Sequence, residues 1–237
     1  MAVSIDTVYQ RVLTLANKEQ RGYITPQEFN LFANQAQIDI FEQYFYDITQ
    51  WSRTSGNDTE FSDPLQMLHE KISIFEVERD SNWTASNLGA TMLLPPEIYR
   101  IGTVKLNGNI VEILTSKEFD SARLSYLTSP TKQRPIGCII GNKLNIASAN
   151  YTFPTANNEE ITISYIRKPH SVAWGYIVVG GKAMYDPTNK SDFELHGSEE
   201  GELVNRITVF AGISIKQPDL IQGVSSIEAG RLQQEKQ

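Results

Sequence analysis

The amino-acid sequence predicts an α+β fold, in which an N-terminal α-helical hairpin and a C-terminal helix pack with a β-rich domain built from hairpins. Three observations predict this class. Apolar residues recur at helical spacing before residue 60. From about residue 65 they alternate between turn signals, as in strands, and after residue 198 they return to helical spacing.

The chain of 237 residues is long enough to bury a sizeable core. We divide it into an N-terminal helical segment (1–60), a β-rich domain (61–190), a closing helix that packs with both (191–218) and a C-terminal tail (219–237). The tail has no core of its own, and we expect it to be extended or docked on a partner.

Two helices are predicted before residue 60. The first spans residues 5–18, with Asp6 as its N-cap. The second begins at Pro26 and runs to about residue 51. Thr25 is its N-cap, and Glu28, three residues later, completes a capping box.

The second helix carries apolar residues on more than one face. This width predicts packing on two sides, and the second side is expected to contact another subunit. Gln and Asn occupy most of the remaining positions. The apolar positions are Phe29, Leu31, Phe32, Ala36, Ile38, Ile40, Phe41, Tyr44 and Phe45.

Turn signals organise the β-rich region. A strand is predicted at 159–169, and residues 116–135 read as a short helix followed by an extended loop. Two-residue turns between alternating runs predict three hairpins, at Asn107-Gly108, Gly141-Asn142 and Gly180-Gly181. Four sulfur-containing residues are interpreted as core: Cys138, in a buried strand, and Met67, Met92 and Met184.

The closing helix is predicted to begin after Ser198 as its N-cap, with Glu199 and Glu200 at the positive end of the helix dipole. One apolar face recurs at helical spacing, and we expect it to pack against the preceding β-rich region. This face consists of Leu203, Ile207, Phe210 and Ala211.

Composition excludes several classes of function. A net charge of −7 and a pI near 5.1 argue against a dedicated nucleic-acid clamp, which needs cations along a row of phosphates. There is no run of about 18 apolar residues, so no membrane partner is expected. The N-terminus lacks the regions of a secretory signal, and a single cysteine suits synthesis in a reducing cytosol.

Catalytic patterns are missing, so we predict that the protein is not an enzyme and has no catalytic, cofactor-binding or metal residues. The three histidines lack metal-ligand spacing. Phosphate-binding, nucleophile-elbow and dinucleotide motifs are not found, so a small hydrolase has no supporting constellation. Glu199, Glu200 and Glu202 are explained by the helix dipole without a catalytic role.

Residues 17–28 resemble a calcium-binding EF-hand loop in part. Gly22, Ile24 and Glu28 occupy the sixth, eighth and twelfth positions of such a loop. However, Arg21 places a cation at the fifth position, where the metal needs an oxygen ligand. An EF-hand-like calcium-binding module is therefore kept only as an alternative.

Several segments together resemble virion structural proteins of short-tailed bacteriophages. After residue 129 these are SPTKQRP, GNKLNI, ITISYIRKP, Trp174 and then DFELHGSEEGELVNRITVFAGISIKQPDL. The N-terminal segment VYQRVLTLANKEQRGYITPQEFNLFANQAQIDIFEQYFYD resembles the opening of the same proteins. Within this group the chain is similar to head-to-tail connectors, the adaptor, gatekeeper or tail-tubular-protein-A-like ring proteins. The middle, from about residue 56 to 125, resembles them least.

This resemblance implies a structural ring, usually of twelve copies, that joins the portal of the head to the tail and lets DNA pass. It implies no cofactor, a virion location in the neck or tail, and synthesis in the host cytoplasm. The partners would be other copies of the chain, the portal, and downstream tail, nozzle and fibre proteins. The alternative is another neck or tail component, such as a stopper, a nozzle ring or a fibre-attachment protein.

A ring copy must bury two different side surfaces against its neighbours. We expect the aromatic helix to supply one contact and the tail to dock on the portal or a neighbour, the alternative for the tail being a frayed terminus. The basic strand end at 167–168 is either a partner contact or a solvated end. The predicted interface residues are Phe29, Phe32, Phe41, Tyr44, Phe45, Arg167, Lys168, Ile221, Val224, Ile227 and Leu232.

Overall fold

The computed structural model describes residues 3–17, 24–53, 62–81, 83–86, 89–148 and 161–215. The fold class is α+β, as predicted from the sequence. Two compact units are present: a helical unit formed by residues 1–74 and 169–237, and a β unit formed by residues 75–168.

Five α-helices lie within the described ranges: α1 (Ile5–Asn17), α2 (Pro26–Arg53), α3 (Ser62–Ser73), α4 (Ser116–Leu124) and α5 (Glu200–Ile215). The strands there are β1 (Glu76–Ser81), β2 (Trp83–Ser86), β3 (Gly89–Leu93), β4 (Ile98–Leu106), β5 (Asn109–Ile110), β6 (Glu112–Leu114), β7 (Ile136–Ile140), β8 (Lys143–Ala147), β9 (Ile161–Arg167), β10 (Tyr176–Val179) and β11 (Lys182–Tyr185). Short 3₁₀ turns span Pro187–Asn189 and Gly197–Glu199.

The β unit contains two sheets. One has the strand order β1-β9-β4-β5 and the other β2-β3-β8-β7-β6, with antiparallel pairing except between β6 and β7. Alternate residues of both sheets form one buried cluster, which includes Met92, Leu144, Ile161 and Ile163. Cys138 is fully buried in β7, which confirms the predicted strand cysteine.

The three predicted hairpin turns are confirmed. At the β4–β5 turn, Asn107 and Gly108 have φ values of 49° and 79°, the left-handed pair that a type I′ turn requires. Gly141 joins β7 to β8, and Gly180-Gly181 joins β10 to β11, each with positive φ. The short helix predicted after residue 116 is α4, whose capping box joins Thr115 and Glu118.

The helical unit is built on α2 and α5, which pack against each other; α3 packs on α2, and α1 packs on α5 and contacts α2 through the ring pair of Tyr9 and Phe29. The predicted apolar face of α5 is buried at Leu203, Ile207 and Ala211. Phe210 is half-buried and lies 6.3 Å from Phe32 of α2, centroid to centroid. We had expected this face to lie on the β-rich region, and the structure places it on α1 and α2. The β unit closes its own core between two sheets, whereas the wide apolar surface of α2 needs a cover.

The unit boundaries fall at 74/75 and 168/169, whereas the sequence suggested 60/61 and 190/191. Two elements account for the difference. Helix α3 packs on α2, and the β10–β11 hairpin is anchored beside α1 and α2 through Trp174. Both therefore belong to the helical unit although they flank β strands in sequence.

Helix caps were predicted with mixed success. The box at α2 is confirmed, since Thr25 Oγ1 accepts from Glu28 N at 3.3 Å and Glu28 Oε2 accepts from Thr25 N at 3.0 Å. Hydrogen bonds from Thr25 also lower the pKa of the Glu28 carboxyl. Asp6, by contrast, lies inside α1 and accepts from Trp174 Nε1 at 2.9 Å. Its predicted cap role is wrong, because the helix begins one residue earlier, at Ile5.

The predicted N-cap at Ser198 is also corrected. A 3₁₀ turn precedes α5, and the His196 ring nitrogen Nδ1 accepts from Ser198 N at 3.3 Å. Two of the three methionines interpreted as core are exposed: Met67 on α3 and Met184 on β11, while Met92 is buried. The interpretation of Met67 and Met184 as core residues is therefore wrong, and that of Met92 is confirmed.

Candidate functional site

Three amide side chains on α2 hold an extended segment of chain at residues 170–174. Asn34 bonds both backbone groups of Val172, at 2.9 Å from Val172 N and 2.8 Å to Val172 O. Asn30 bonds Trp174 N at 2.7 Å and Trp174 O at 3.4 Å. One face of the helix thus provides the pattern of bonds that a neighbouring β-strand would provide.

Gln37 extends this amide ladder by another turn. Its Nε2 donates to His170 O at 2.7 Å, and its Oε1 accepts from Glu194 N at 3.1 Å. Gln37 is almost fully buried, so these bonds satisfy a side chain that would otherwise destabilise the core. The sequence interpretation missed the ladder, although the spacing 30, 34, 37 marks one helix face.

An aromatic cluster anchors the β10–β11 hairpin to this segment. Trp174 packs 4.1 Å from Tyr9 of α1, centroid to centroid, and stacks on Tyr176 and Tyr185 at 6.1 and 5.6 Å. Trp174 itself is buried. The base of the hairpin is therefore fixed next to Asn30, near the N-terminal end of α2.

The outer part of the hairpin is exposed. Ile177, Val178, Val179 and Met184 are 52%, 66%, 54% and 55% exposed, and among the described residues the two strands pair only with each other. Lys182 is the only charged residue between Trp174 and Tyr185. An isolated two-stranded ribbon is marginally stable in water, and one with apolar side chains on the solvent side is typical of a contact surface.

A groove lies at the other end of α2, bounded by α3 and the start of α5. Its volume is about 260 Å³, below the roughly 300–1,000 Å³ of small-molecule sites. Ile40, Tyr44, Trp51, Met67 and Leu68 supply its apolar lining. We call it the α2–α3 groove.

Charged residues in the α2–α3 groove are mainly acidic. Asp47, Glu199 and Glu202 line it, against one lysine, Lys71. Glu199 is only 2% exposed, and Lys71 Nζ lies 2.5 Å from its Oε1. Glu202 is bridged by Arg206 at 2.6 Å, and Arg206 also donates to Gln43. Glu199 and Glu202 are thus held in ion pairs, and together with Asp47 these acids leave the groove one negative charge in excess over Lys71 and Arg206.

The β unit has its own exposed apolar segment after α4. Leu124, Tyr126 and Leu127 are 84%, 98% and 93% exposed. A groove of about 730 Å³ lies beside the segment: Ser125 and Thr128 line it, and Leu114 and Ile136 belong to its apolar lining. Large side chains exposed this fully are unusual in a monomer and indicate a contact surface.

Several predicted interface residues lie elsewhere than expected. Phe29, Phe41 and Tyr44 are buried in the helical unit, because α2 turns these positions toward the chain's own core. Phe29 and Phe41 therefore offer no surface to a neighbour in this conformation, whereas Tyr44, 3% exposed, also lines the α2–α3 groove. Phe32 and Phe45 are half-buried. The second, exposed side of α2 carries other apolar residues, which sequence reasoning did not separate: Leu31, Ile38 and Tyr46.

Arg167 and Lys168 end strand β9 as predicted. The guanidinium of Arg167 lies 5.9 Å from the centre of the Phe75 ring, and its Nη1 donates to Lys168 O at 3.4 Å. Lys168 is exposed. The predicted tail contacts Ile221, Val224, Ile227 and Leu232 lie outside the described residues.

Two further features concern metal ions and membranes. Within the described ranges, no group of three or more His, Cys, Asp or Glu side chains is arranged to hold a metal ion. The EF-hand-like segment lies partly outside those ranges, but its twelfth residue, Glu28, is bound by Thr25. No helix of the described chain is long and apolar enough to cross a membrane.

No family model matches the chain, and no curated protein matches it.

Proposed function

We propose that this protein is a virion structural protein of a short-tailed bacteriophage that forms a ring, of about twelve copies, between portal and tail. The observation that carries the proposal is the exposure of apolar side chains on both units: the β10–β11 hairpin on one and the segment 124–127 on the other. Monomeric proteins rarely expose such patches, so each is expected to be covered in an assembly.

Two further features support this function. The segments that resemble connector proteins include Trp174 and the α5 region, which organise the helical unit around the hairpin. The net charge of −7 suits a channel through which DNA passes without sticking. The proposed partners are other copies of the chain, the portal, and tail, nozzle or fibre proteins below, and the proposed location is the neck or tail of the virion.

The proposal is tested by mixing the purified chain with the portal protein of the same phage and imaging the mixture by electron microscopy. We expect a ring of copies that shares the axis of the portal. A ring without portal binding would favour a stopper, nozzle or fibre-attachment component. Failure to bind the portal, alone or in DNA-filled heads, would contradict the connector assignment.

The apolar segment of the β unit provides a matched test. The double variant Tyr126→Ser and Leu127→Ser removes exposed apolar surface without touching a core, so its melting temperature should stay close to that of the parent. Affinity for the portal or for a tail partner should fall, because the variant lacks the apolar side chains that the partner would bury. A control with Ile110→Ser, an exposed residue of β5, should bind as the parent does.

A further inference from the structure

The β10–β11 hairpin and the α2–α3 groove lie at opposite ends of one helix. Asn30 holds the backbone of Trp174, at the base of the hairpin, and Asp47 lines the groove. These two residues are 17 positions apart on α2, which corresponds to about 25 Å at 1.5 Å per residue. Because the helix is continuous between them, this separation is fixed within each copy.

The two surfaces have complementary chemistry. The hairpin presents Ile177, Val179 and Met184 together with one positive charge, Lys182. The groove presents an apolar lining with three acids and one lysine. Its volume of about 260 Å³ suits aliphatic side chains of a protein partner more closely than a cofactor.

We propose that the tip of the β10–β11 hairpin of one copy docks in the α2–α3 groove of the next copy. The proposal rests on the proposed ring, and it identifies which surfaces join neighbouring copies. The contact is head-to-tail, since the two surfaces differ and lie about 25 Å apart along α2. A contact of this kind leaves one free hairpin and one free groove on every chain of copies, and closure of the chain gives a ring.

In the proposed contact Lys182 would meet the acids that line the groove, whose charge exceeds that of Lys71 and Arg206 by one. Asp47 and Glu202 lie on the lining, and complementary charge of this kind orients partners more than it adds affinity. The aliphatic side chains of the hairpin supply the buried surface, which accounts for their position on the solvent side of a two-stranded ribbon.

Cysteine cross-linking tests this contact. Val179→Cys and Met67→Cys place one thiol on the hairpin and one beside the groove, both at exposed positions. The native Cys138 is fully buried and does not interfere. A short bismaleimide is added to the double variant, both alone at high concentration and assembled on the portal, and the products are separated on a denaturing gel.

A ladder of dimers, trimers and higher species is the expected result, because each copy carries one donor and one acceptor. Products that stop at the dimer would show a two-fold symmetric contact and overturn the proposal. The absence of cross-linked species under both conditions would overturn it too. As a control, Leu31→Cys replaces Met67→Cys, which moves the second thiol to the exposed N-terminal turn of α2 and should give no ladder.

The outcome can be separated from that of the proposed function. A ladder without portal binding supports the head-to-tail contact and contradicts the connector role. Rings on the portal without a ladder support the connector role and overturn this contact.

Charge reversal at the hairpin tip provides a second measurement. Lys182→Glu should weaken assembly about two- to fivefold at low salt, the range of an exposed ion pair, and salt should reduce the difference. Lys143→Glu is the matched control, an exposed lysine beside the β7–β8 turn. Equal effects of the two substitutions would contradict a specific role for Lys182.

Discussion

The amide ladder predicts a specific loss of stability when Asn34 is replaced by alanine. In the folded chain this side chain bonds both Val172 N and Val172 O, at 2.9 and 2.8 Å. The substitution removes both bonds at once. Val172 is buried, so water cannot easily replace them.

The size of the stability loss follows from the two backbone groups of Val172 that lose their hydrogen-bond partner. Each buried donor or acceptor left without a partner costs about 1–3 kcal/mol. Because the Asn34 site is only partly buried, we take a value from the lower part of this range for each of the two groups. The total loss of unfolding free energy is then about 2–3 kcal/mol. In a chain of this size that loss corresponds to a fall in melting temperature of about 4–12 °C.

Urea denaturation measures the stability, and hydrogen exchange localises it. We expect the peptide covering residues 170–174 to exchange faster in Asn34→Ala, because the ladder bonds protect its amides. Gln35→Ala is the matched control: it lies one position along the same helix, and its side-chain bond to Asp39 is exposed to solvent. It should change stability by no more than about 0.5 kcal/mol.

One result would contradict this role of Asn34. If Asn34→Ala and Gln35→Ala have equal stability and equal exchange at residues 170–174, the amide of Asn34 does not hold this segment. Helix propensity cannot explain the expected difference, because asparagine is a poorer helix former than glutamine, so the change to alanine favours the helix more in Asn34→Ala.

Three other predictions follow from named contacts. Lys71→Met should cost about 2–4 kcal/mol in urea denaturation, because it leaves the buried Glu199 carboxylate without its cation, and adding Glu199→Gln should recover part of that loss. The pKa of Glu28 is lowered in the folded state, so its contribution is present above its ordinary value of 4.5 and is lost as pH falls; Glu28→Gln should therefore flatten the decline of melting temperature in this acidic range. Gly108→Val should cost about 1–2 kcal/mol, since its φ of 79° disfavours a side chain although the space is open, whereas Gly108→Asn should be milder.

Much of the fold could be predicted from local signals in the sequence. The turns at Asn107-Gly108 and Gly180-Gly181 require left-handed backbone, and few residues other than glycine and asparagine supply it. The capping box of Thr25 and Glu28 involves only residues three apart. Such features depend on neighbours in sequence, which is why they could be predicted.

Features that depend on distant parts of the chain were not predicted. The sequence gives no sign that Asn30 and Asn34 bind backbone, because their partners lie 144 and 138 residues away. Phe41 and Leu31 are both large apolar residues of α2, yet only Leu31 is exposed. Which of them faces the core is decided by the placement of α1, α3 and α5, and composition alone does not carry that information.

The helical unit is discontinuous in sequence, and this determines when it can form during synthesis. Its first part, residues 1–74, leaves the ribosome well before α5, whereas the β unit lies on one continuous stretch, 75–168. Until α5 emerges, the surfaces of α1 and α2 that it covers stay open, and until residues 170–174 emerge, the amides of Asn34 and Gln37 lack the segment they bind. The β unit is therefore expected to fold first. The hairpin and the groove reach their final positions only after α5 has been made, which delays the proposed self-association until both surfaces are in place.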